Sequence, residues 1–190
     1  PKIDRNTKEI VNMFPIGDSD VEGAGPGVIT IALVALNTIL FVVEITVFRP
    51  GLREFFNQYG VVPAQVLQGE QLYSFVTSMF LHGGWFHLIS NMVFLWIFGD
   101  NVEAALGKLL YPAFYLLGGV AASLTHVVVS PNSSLPSVGA SGAIGAILGA
   151  YVVMFPRSRV RVLLLFGYFL VVRRVTAVLF LGIWFVMQFF

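Results

Sequence analysis

The sequence predicts an all-α fold, a polytopic bundle of helices that crosses a membrane. Of the 190 residues, 57% are hydrophobic and only 11% are charged, whereas soluble domains average roughly 45–50% apolar and about 25% charged residues. Several apolar runs reach about 20 residues, which at about 1.5 Å per residue covers a hydrocarbon core of about 30 Å. Composition and run length therefore indicate several membrane spans.

Charge and cysteine content exclude several classes of function. The net charge of +1 offers no basic face for a nucleic acid, so no nucleic-acid partner is expected. The absence of cysteine excludes disulfides, thiolate nucleophiles and Cys-bound metals. Any chemistry must therefore come from serine, histidine or carboxylate side chains.

The first part of the chain reads as a tail followed by one span. Residues 1–27 are polar and end in "GAGPG", which predicts a weakly ordered tail. Residues 28–48 are apolar except for Glu44, and they are too long for the apolar region of a signal peptide, so we expect a retained span. Residues 49–80 combine Gly and Pro with many aromatic and aliphatic side chains, a pattern that favours a segment lying against the membrane interface.

The second part of the chain contains the remaining apolar runs. Predicted spans two, three and four cover residues 86–106, 109–129 and 141–155, and Pro156 closes the last of them. Residues 160–172 are a short apolar run flanked by arginines, which suggests an interfacial or re-entrant piece. Residues 175–190 begin a fifth span inside which the sequence stops, so we expect a chain cut short before its last helix.

The basic residues predict the orientation. With the amino terminus inside, every Lys and Arg except Arg49 and Arg53 falls on the inner side. This distribution predicts an integral protein of the cell (inner) membrane with a cytoplasmic amino terminus. The turn that precedes Ser141 then faces the outside.

A serine stands at the start of span four, in "SVGASGAIGAILGAY". Residues 141–155 make only about 22 Å of helix, so Ser141 should lie below the outer surface, in a polar cavity open to the outside. Small residues follow it at helical spacing and predict a close approach of another helix: Gly142, Gly145, Ala146, Gly149 and Ala150. This pattern alone leaves a packing role for Ser141 open.

Span two carries polar side chains at the same membrane side, in "HGGWFHLISN". His87 and Asn91 are four residues apart and share one helix face, and polar groups at membrane depth mark functional sites. Two N–H donors near a serine hydroxyl suit acyl transfer. A purely structural hydrogen-bonding role for them stays open, whereas a metal site of His82 and His87 is disfavoured because it lacks a third ligand.

Four stretches together carry a family resemblance: "MFPIGDSD", "HGGWFHLISN", "FGDNVEAALG" and "PSVGASGAIGAILGAYVVMFPRSRV". In this order and spacing, over residues 12–190, the chain resembles the rhomboid intramembrane serine proteases. The resemblance implies a six-span core, with five spans present in residues 28–190 after the cytoplasmic tail 1–27. It implies Ser141 as nucleophile, His87, Asn91 and the Ser141 N–H as oxyanion hole, and His82 and Gly139 as supporting residues.

The resemblance also implies an activity and its partners. A rhomboid protease cleaves transmembrane protein substrates near the outer membrane face, within the lipid bilayer and with no cofactor or metal. Its general base is a histidine in the sixth span, expected here after Phe190, and His126 is a poor substitute. The alternative is an inactive rhomboid-like protein that binds membrane helices as an adaptor or as a subunit of a larger membrane complex.

Overall fold

The structure is a computed structural model that describes residues 12–18, 27–166 and 169–187. The chain divides into two compact units, Val21–Met154 and the combination of Pro1–Asp20 with Phe155–Phe190. All the helices and strands described within the first unit are helices. Its α-helices are α1 (Val28–Val47), α2 (Leu52–Tyr59), α3 (Pro63–Val66), α4 (Ser74–Thr77), α5 (Trp85–Val129) and α6 (Ser141–Met154), with short 3₁₀ turns at Arg49–Gly51 and Ser78–Phe80.

Two helices of the described residues, α1 and α5, are long and apolar enough to cross a membrane. α5 is not one continuous rod, because Gly107 interrupts it with φ 80° and ψ 167°, a left-handed conformation that glycine adopts without steric cost. The break falls between the predicted spans two and three, whose helices are thus confirmed. That the two halves cross the membrane separately stays a prediction.

Small residues bring α6 against the second half of α5. A methyl group built on Gly142 would lie 2.6 Å from Cβ of Ala122, and one built on Gly118 would collide with Cβ of Ala146. The predicted close approach therefore occurs at Gly142 and Ala146. A methyl group on Gly145 or Gly149 would meet nothing within 4 Å in the described part of the chain, so a partner for that side of α6 stays a prediction.

A carboxylate from α5 caps the start of α1. Glu103 is buried and accepts hydrogen bonds from the backbone N–H groups of Ile29 and Thr30, at 2.9 and 2.7 Å, and from the Thr30 hydroxyl at 2.9 Å. The Thr30 hydroxyl also contacts the hydroxyl of Tyr111 at 3.0 Å. The first N–H groups of a helix have no partner within it, so a group from another helix supplies one here.

The second unit contains a β-sheet and corrects the all-α prediction. Its strands β1 (Asn12–Asp18), β2 (Arg159–Phe166) and β3 (Phe169–Thr176) form an antiparallel sheet in the order β1-β2-β3, followed by helix α7 (Ala177–Met187). The interfacial piece predicted at 160–172 is instead most of a hairpin. Its Arg-Val-Arg-Val alternation and its many β-branched residues suit a strand, which the apolar character of the run obscured.

The sheet also changes two boundaries. Residues 12–18 were expected in a weakly ordered tail, yet they pair with β2 from Asn12↔Leu165 to Asp18↔Val160. The last helix begins at Ala177 rather than at residue 175, because β3 continues through Thr176. Residues 1–11, 19–26 and 188–190, which complete the predicted tail and fifth span, lie outside the described residues.

Candidate active site

The segment that leads into Ser141 is extended and held by the long connection after α1. Val61 and Ser137 exchange two backbone hydrogen bonds of 2.9 Å, and the N–H of Ala64 donates to the Ser133 carbonyl at 3.1 Å. The N–H of Gly139 donates to the Ser78 carbonyl at 2.8 Å. These bonds fix the backbone just before α6, so the start of that helix has a defined position.

Gly139 lies directly against the two polar side chains predicted on α5. A methyl group built on Gly139 would lie 2.6 Å from both Cε1 and Nε2 of His87 and 3.8 Å from Nδ2 of Asn91. The backbone φ of Gly139 is +129°, a region that side chains disfavour. Only glycine allows the chain to pass this close to the imidazole.

Both α5 side chains present a donor toward this segment. The N–H of Gly83 donates to Nδ1 of His87 at 3.4 Å, so the neutral imidazole carries its proton on Nε2, the nitrogen beside Gly139. Asn91 is only 7% exposed, and its Nδ2 has no hydrogen-bond partner within the described residues. A buried N–H group without an acceptor is costly, which suits a site that receives its acceptor from a ligand.

Ser141 is the first residue of α6 and is exposed. The first hydrogen bond at this end of the helix runs from the Ile144 N–H to the Ala140 carbonyl, so the Ser141 N–H precedes the helical ladder and is available to a ligand. Two residues of chain span at most about 7 Å, which keeps the Cα of Ser141 near that of Gly139. The structure thus brings Ser141 into the neighbourhood of His87 and Asn91.

His82 lies beside His87, in the loop before α5. Its side chain is fully buried, and its ring centroid lies 5.2 Å from that of His87 and 6.4 Å from that of Phe41. Burial, together with the nearby His87, lowers the pKa of His82 to about 4, so the ring is neutral at neutral pH. Its buried ring nitrogens have no hydrogen-bond partner in the described part of the chain.

Glu44 is a residue of this region that the sequence reasoning missed. Its buried carboxylate on α1 accepts a hydrogen bond from the backbone N–H of His82 at 3.2 Å. The pair ties the loop before His87 to α1. The available signal was a single carboxylate inside an otherwise apolar span, which is costly in a membrane and therefore indicates a polar partner.

Comparison with known protein families gives a direct match. A family model described as a Rhomboid domain matches residues 69–190. The matched region contains His82, His87, Asn91, Gly139 and Ser141, so all the predicted site residues fall inside the domain.

Several curated proteins are similar to the chain. Presenilin-associated rhomboid-like protein A, mitochondrial, of Danio rerio is 28% identical over 162 residues, covering 83% of this chain and 41% of that protein. From Arabidopsis thaliana, Rhomboid-like protein 11, chloroplastic, is 47% identical over 72 residues (38% and 25%), and RHOMBOID-like protein 5 is 31% identical over 101 residues (53% and 31%). The chain spans less than half the length of each of these relatives.

Proposed function

Because the chain belongs to the rhomboid family, an integral membrane family, we propose that it is an intramembrane serine endopeptidase. Its substrates are transmembrane proteins, cleaved near the outer membrane face. The observation that carries the proposal is the convergence of Nε2 of His87 and Nδ2 of Asn91 on the backbone of Gly139, two residues before Ser141. Two side-chain N–H donors beside the segment that carries a serine support an oxyanion hole for acyl transfer.

The proposed reaction starts with attack of the Ser141 hydroxyl on the scissile carbonyl carbon. The carbonyl oxygen becomes an oxyanion, which accepts hydrogen bonds from His87 Nε2–H, Asn91 Nδ2–H and the Ser141 N–H. Expulsion of the leaving amine gives an acyl-enzyme, and water then hydrolyses it to release the second product. Each oxyanion donor typically contributes on the order of 10²–10³ in rate.

The serine needs a base to remove its proton, since an unaided hydroxyl is a weak nucleophile. The family resemblance assigns this role to a histidine in a sixth span, after Phe190. That histidine would take the Ser141 proton during attack and return it to the leaving amine.

The proposed orientation places the amino terminus in the cytoplasm and Ser141 near the outer face of the cell (inner) membrane. The distribution of Lys and Arg supports this orientation. An organellar membrane is the alternative location, supported by the mitochondrial and chloroplastic names of the relatives.

The alternative function is a catalytically inactive rhomboid-like protein that binds membrane helices as an adaptor or as a subunit of a membrane complex. One relative is named as presenilin-associated, which supports a role within an assembly. On the side of α6 that carries Gly145 and Gly149, an added methyl group would meet no described residue within 4 Å, and this space supports binding of a helix there.

Mutation of Ser141 separates the two functions. In the complete protein, Ser141→Ala should lower cleavage of a reporter transmembrane substrate by roughly 10⁴-fold or more, because it removes the nucleophile. Cleavage is measured in proteoliposomes, and labelling of the protein by a fluorophosphonate is measured in parallel. The matched control is Ser134→Ala, an exposed serine on the preceding turn.

The outcomes are distinct. Loss of cleavage and labelling in Ser141→Ala, with both retained in the control, supports the protease. Cleavage that survives in Ser141→Ala contradicts the assigned nucleophile. A wild-type protein that folds but neither cleaves nor is labelled points to the adaptor.

A further inference from the structure

The 3₁₀ turn Ser78–Phe80 supplies the acceptor that holds Gly139. The carbonyl of Ser78 accepts the N–H of Gly139 at 2.8 Å. Gly139 is the residue whose backbone lies against the side chains of His87 and Asn91. The position of one carbonyl group therefore determines how these two donors face the segment that leads into the proposed nucleophile.

The side chain that follows this carbonyl, Met79, anchors the turn on α5. Met79 is only 2% exposed. A methyl group built on Gly119 of α5 would overlap Sδ of Met79, and it would lie 2.6 Å from Cε and 3.0 Å from Cγ. The thioether chain thus lies along the space that the glycine leaves open, and close packing of this kind allows little movement. The contact fixes the turn against the second half of α5.

The same glycine also lies beside the start of α6. A methyl group built on Gly142, the residue after Ser141, would lie 3.9 Å from both Cα and the carbonyl oxygen of Gly119. Gly119 is therefore a common contact of two parts of the candidate site. One is the turn that holds Gly139 through its backbone, and the other is the first turn of the helix that begins at Ser141.

The loop on either side of the turn has supports of its own. Before the turn, the Thr77 hydroxyl donates to the Tyr59 carbonyl at 2.6 Å. After it, the His82 N–H donates to the carboxylate of Glu44 at 3.2 Å. Neither bond involves the side chain of Met79. Removal of that side chain should therefore loosen the turn between these two bonds without releasing the whole loop.

We propose that Met79 is a positioning residue of the candidate site: its packing on Gly119 holds the Ser78 carbonyl in place. That carbonyl in turn sets the distance between the backbone of Gly139 and the two N–H donors of α5. The inference rests on the proposed protease function, because these donors form an oxyanion hole only if the protein cleaves peptide bonds. A misplacement of about 1 Å in such a site can cost about 10² in rate.

Hydrogen–deuterium exchange at single-residue resolution tests the contact without any need for activity. The complete protein is compared as wild type, as Met79→Ala, as Met79→Leu and as the control Met154→Ala, which shortens an exposed methionine. The amide of Gly139 should exchange roughly tenfold faster or more in Met79→Ala, because its acceptor is no longer held. The amide of Ser137 donates to the Val61 carbonyl instead, so its exchange should not change.

The expected pattern is specific to one amide. Met79→Leu and Met154→Ala should exchange like the wild type, the first because leucine nearly conserves the buried volume. Unchanged exchange at Gly139 in Met79→Ala overturns the proposal. Equal acceleration at Gly139 and Ser137 also overturns it, because it would indicate a general loosening of the segment.

A second variant guards against misfolding of Met79→Ala. Gly119 lies within the helical part of α5, where alanine is more favourable than glycine, so Gly119→Ala keeps the helix. Its methyl group takes the space of the thioether, and the buried Met79 and its turn must move. The Gly139 amide should again exchange faster than in the wild type. A stably folded Gly119→Ala protein with unchanged exchange at this amide contradicts the proposal.

Cleavage of the reporter substrate then tests the positioning role. Met79→Ala should lower kcat roughly tenfold with little change in KM, because the donors act on the transition state. Asn91→Ala should cost less in Met79→Ala than in the wild type, since that donor is already misplaced. Additive losses overturn the positioning role, and so does full cleavage by Met79→Ala. If the folded wild type does not cleave, the proposed protease function fails, and the exchange at Gly139 still decides whether Met79 holds this segment.

Discussion

At the scale of single residues, the candidate site requires a residue without a side chain at position 139. Gly139 is held by its hydrogen bond to Ser78, and its Cα faces the imidazole of His87 with no space for a methyl group. His87 is held in turn by the N–H of Gly83. The two N–H donors can therefore face the Ser141 segment only while position 139 remains a glycine.

Replacing Gly139 by alanine tests this requirement. The new methyl group would lie 2.6 Å from the ring of His87, so the ring or the loop must move and the donor geometry is lost. We expect Gly139→Ala to lower substrate cleavage by the complete protein by on the order of 10²-fold or more. The control is Gly51→Ala, where a methyl group meets only an ordinary contact of 3.7 Å; equal activity of both variants would refute the assignment.

At the scale of elements, the helices are joined by buried carboxylates at both ends of α1. Glu103 of α5 caps the first turn of α1 through backbone N–H groups, where a negative charge also complements the helix dipole. Near the other end of α1, Glu44 accepts the backbone N–H of His82. α1 is therefore attached to the α5 region by directional bonds as well as by apolar packing.

The Glu103 cap has a measurable contribution to stability. Glu103→Gln keeps the side-chain volume, but it removes the charge and turns donors toward the N–H groups of Ile29 and Thr30. We expect the free energy of unfolding to fall by on the order of 3 kcal/mol, as hydrogen bonds to a buried charged group are lost. Denaturant unfolding in detergent gives the value. The exposed Glu70→Gln is the control, and equal stability of the two variants would rule out the cap.

At the scale of the whole molecule, His82 couples the site to global stability. Its loop contacts α1 through Glu44 and Phe41 and contacts α5 through His87. Burial holds the pKa of His82 at about 4, whereas an unfolded chain has a histidine pKa of about 6.5. Between about pH 6.5 and pH 4, His82 is therefore protonated in the unfolded chain but neutral in the folded chain.

This difference predicts the direction of the pH dependence. Because the unfolded state binds more protons, the free energy of unfolding falls as the pH falls from about 6.5 to about 4, by up to about 3 kcal/mol from His82. Above pH 6.5 the contribution of His82 is constant. His82→Gln should have a smaller loss of stability across this window than the wild type or the control His126→Gln, as measured by thermal unfolding at each pH. Parallel curves for all three proteins would contradict the prediction.

The helices could be predicted because their signals are local. Apolar length, with Pro156 as a breaker, predicted the bounds of α5 and α6 to within one or two residues. The β2–β3 hairpin could not be predicted from the sequence, because an apolar run is compatible with a strand or with a buried helix. The partner that decides between them is β1, which is distant in sequence. The same limit hid Glu103 and Glu44, whose acceptor roles depend on donors that are distant in sequence.

The sequence by itself determined the membrane class, the bounds of α1, α5 and α6, and the residue types of the candidate site, because these follow from run length, helical spacing and side-chain chemistry. The i, i+4 spacing alone put His87 and Asn91 on one face. Only the tertiary structure decided that Gly139 touches both, that Gly142 rather than Gly145 packs on α5, and that two arginines oppose each other across a hairpin. Such contacts join residues far apart along the chain, and they are settled by how whole elements pack.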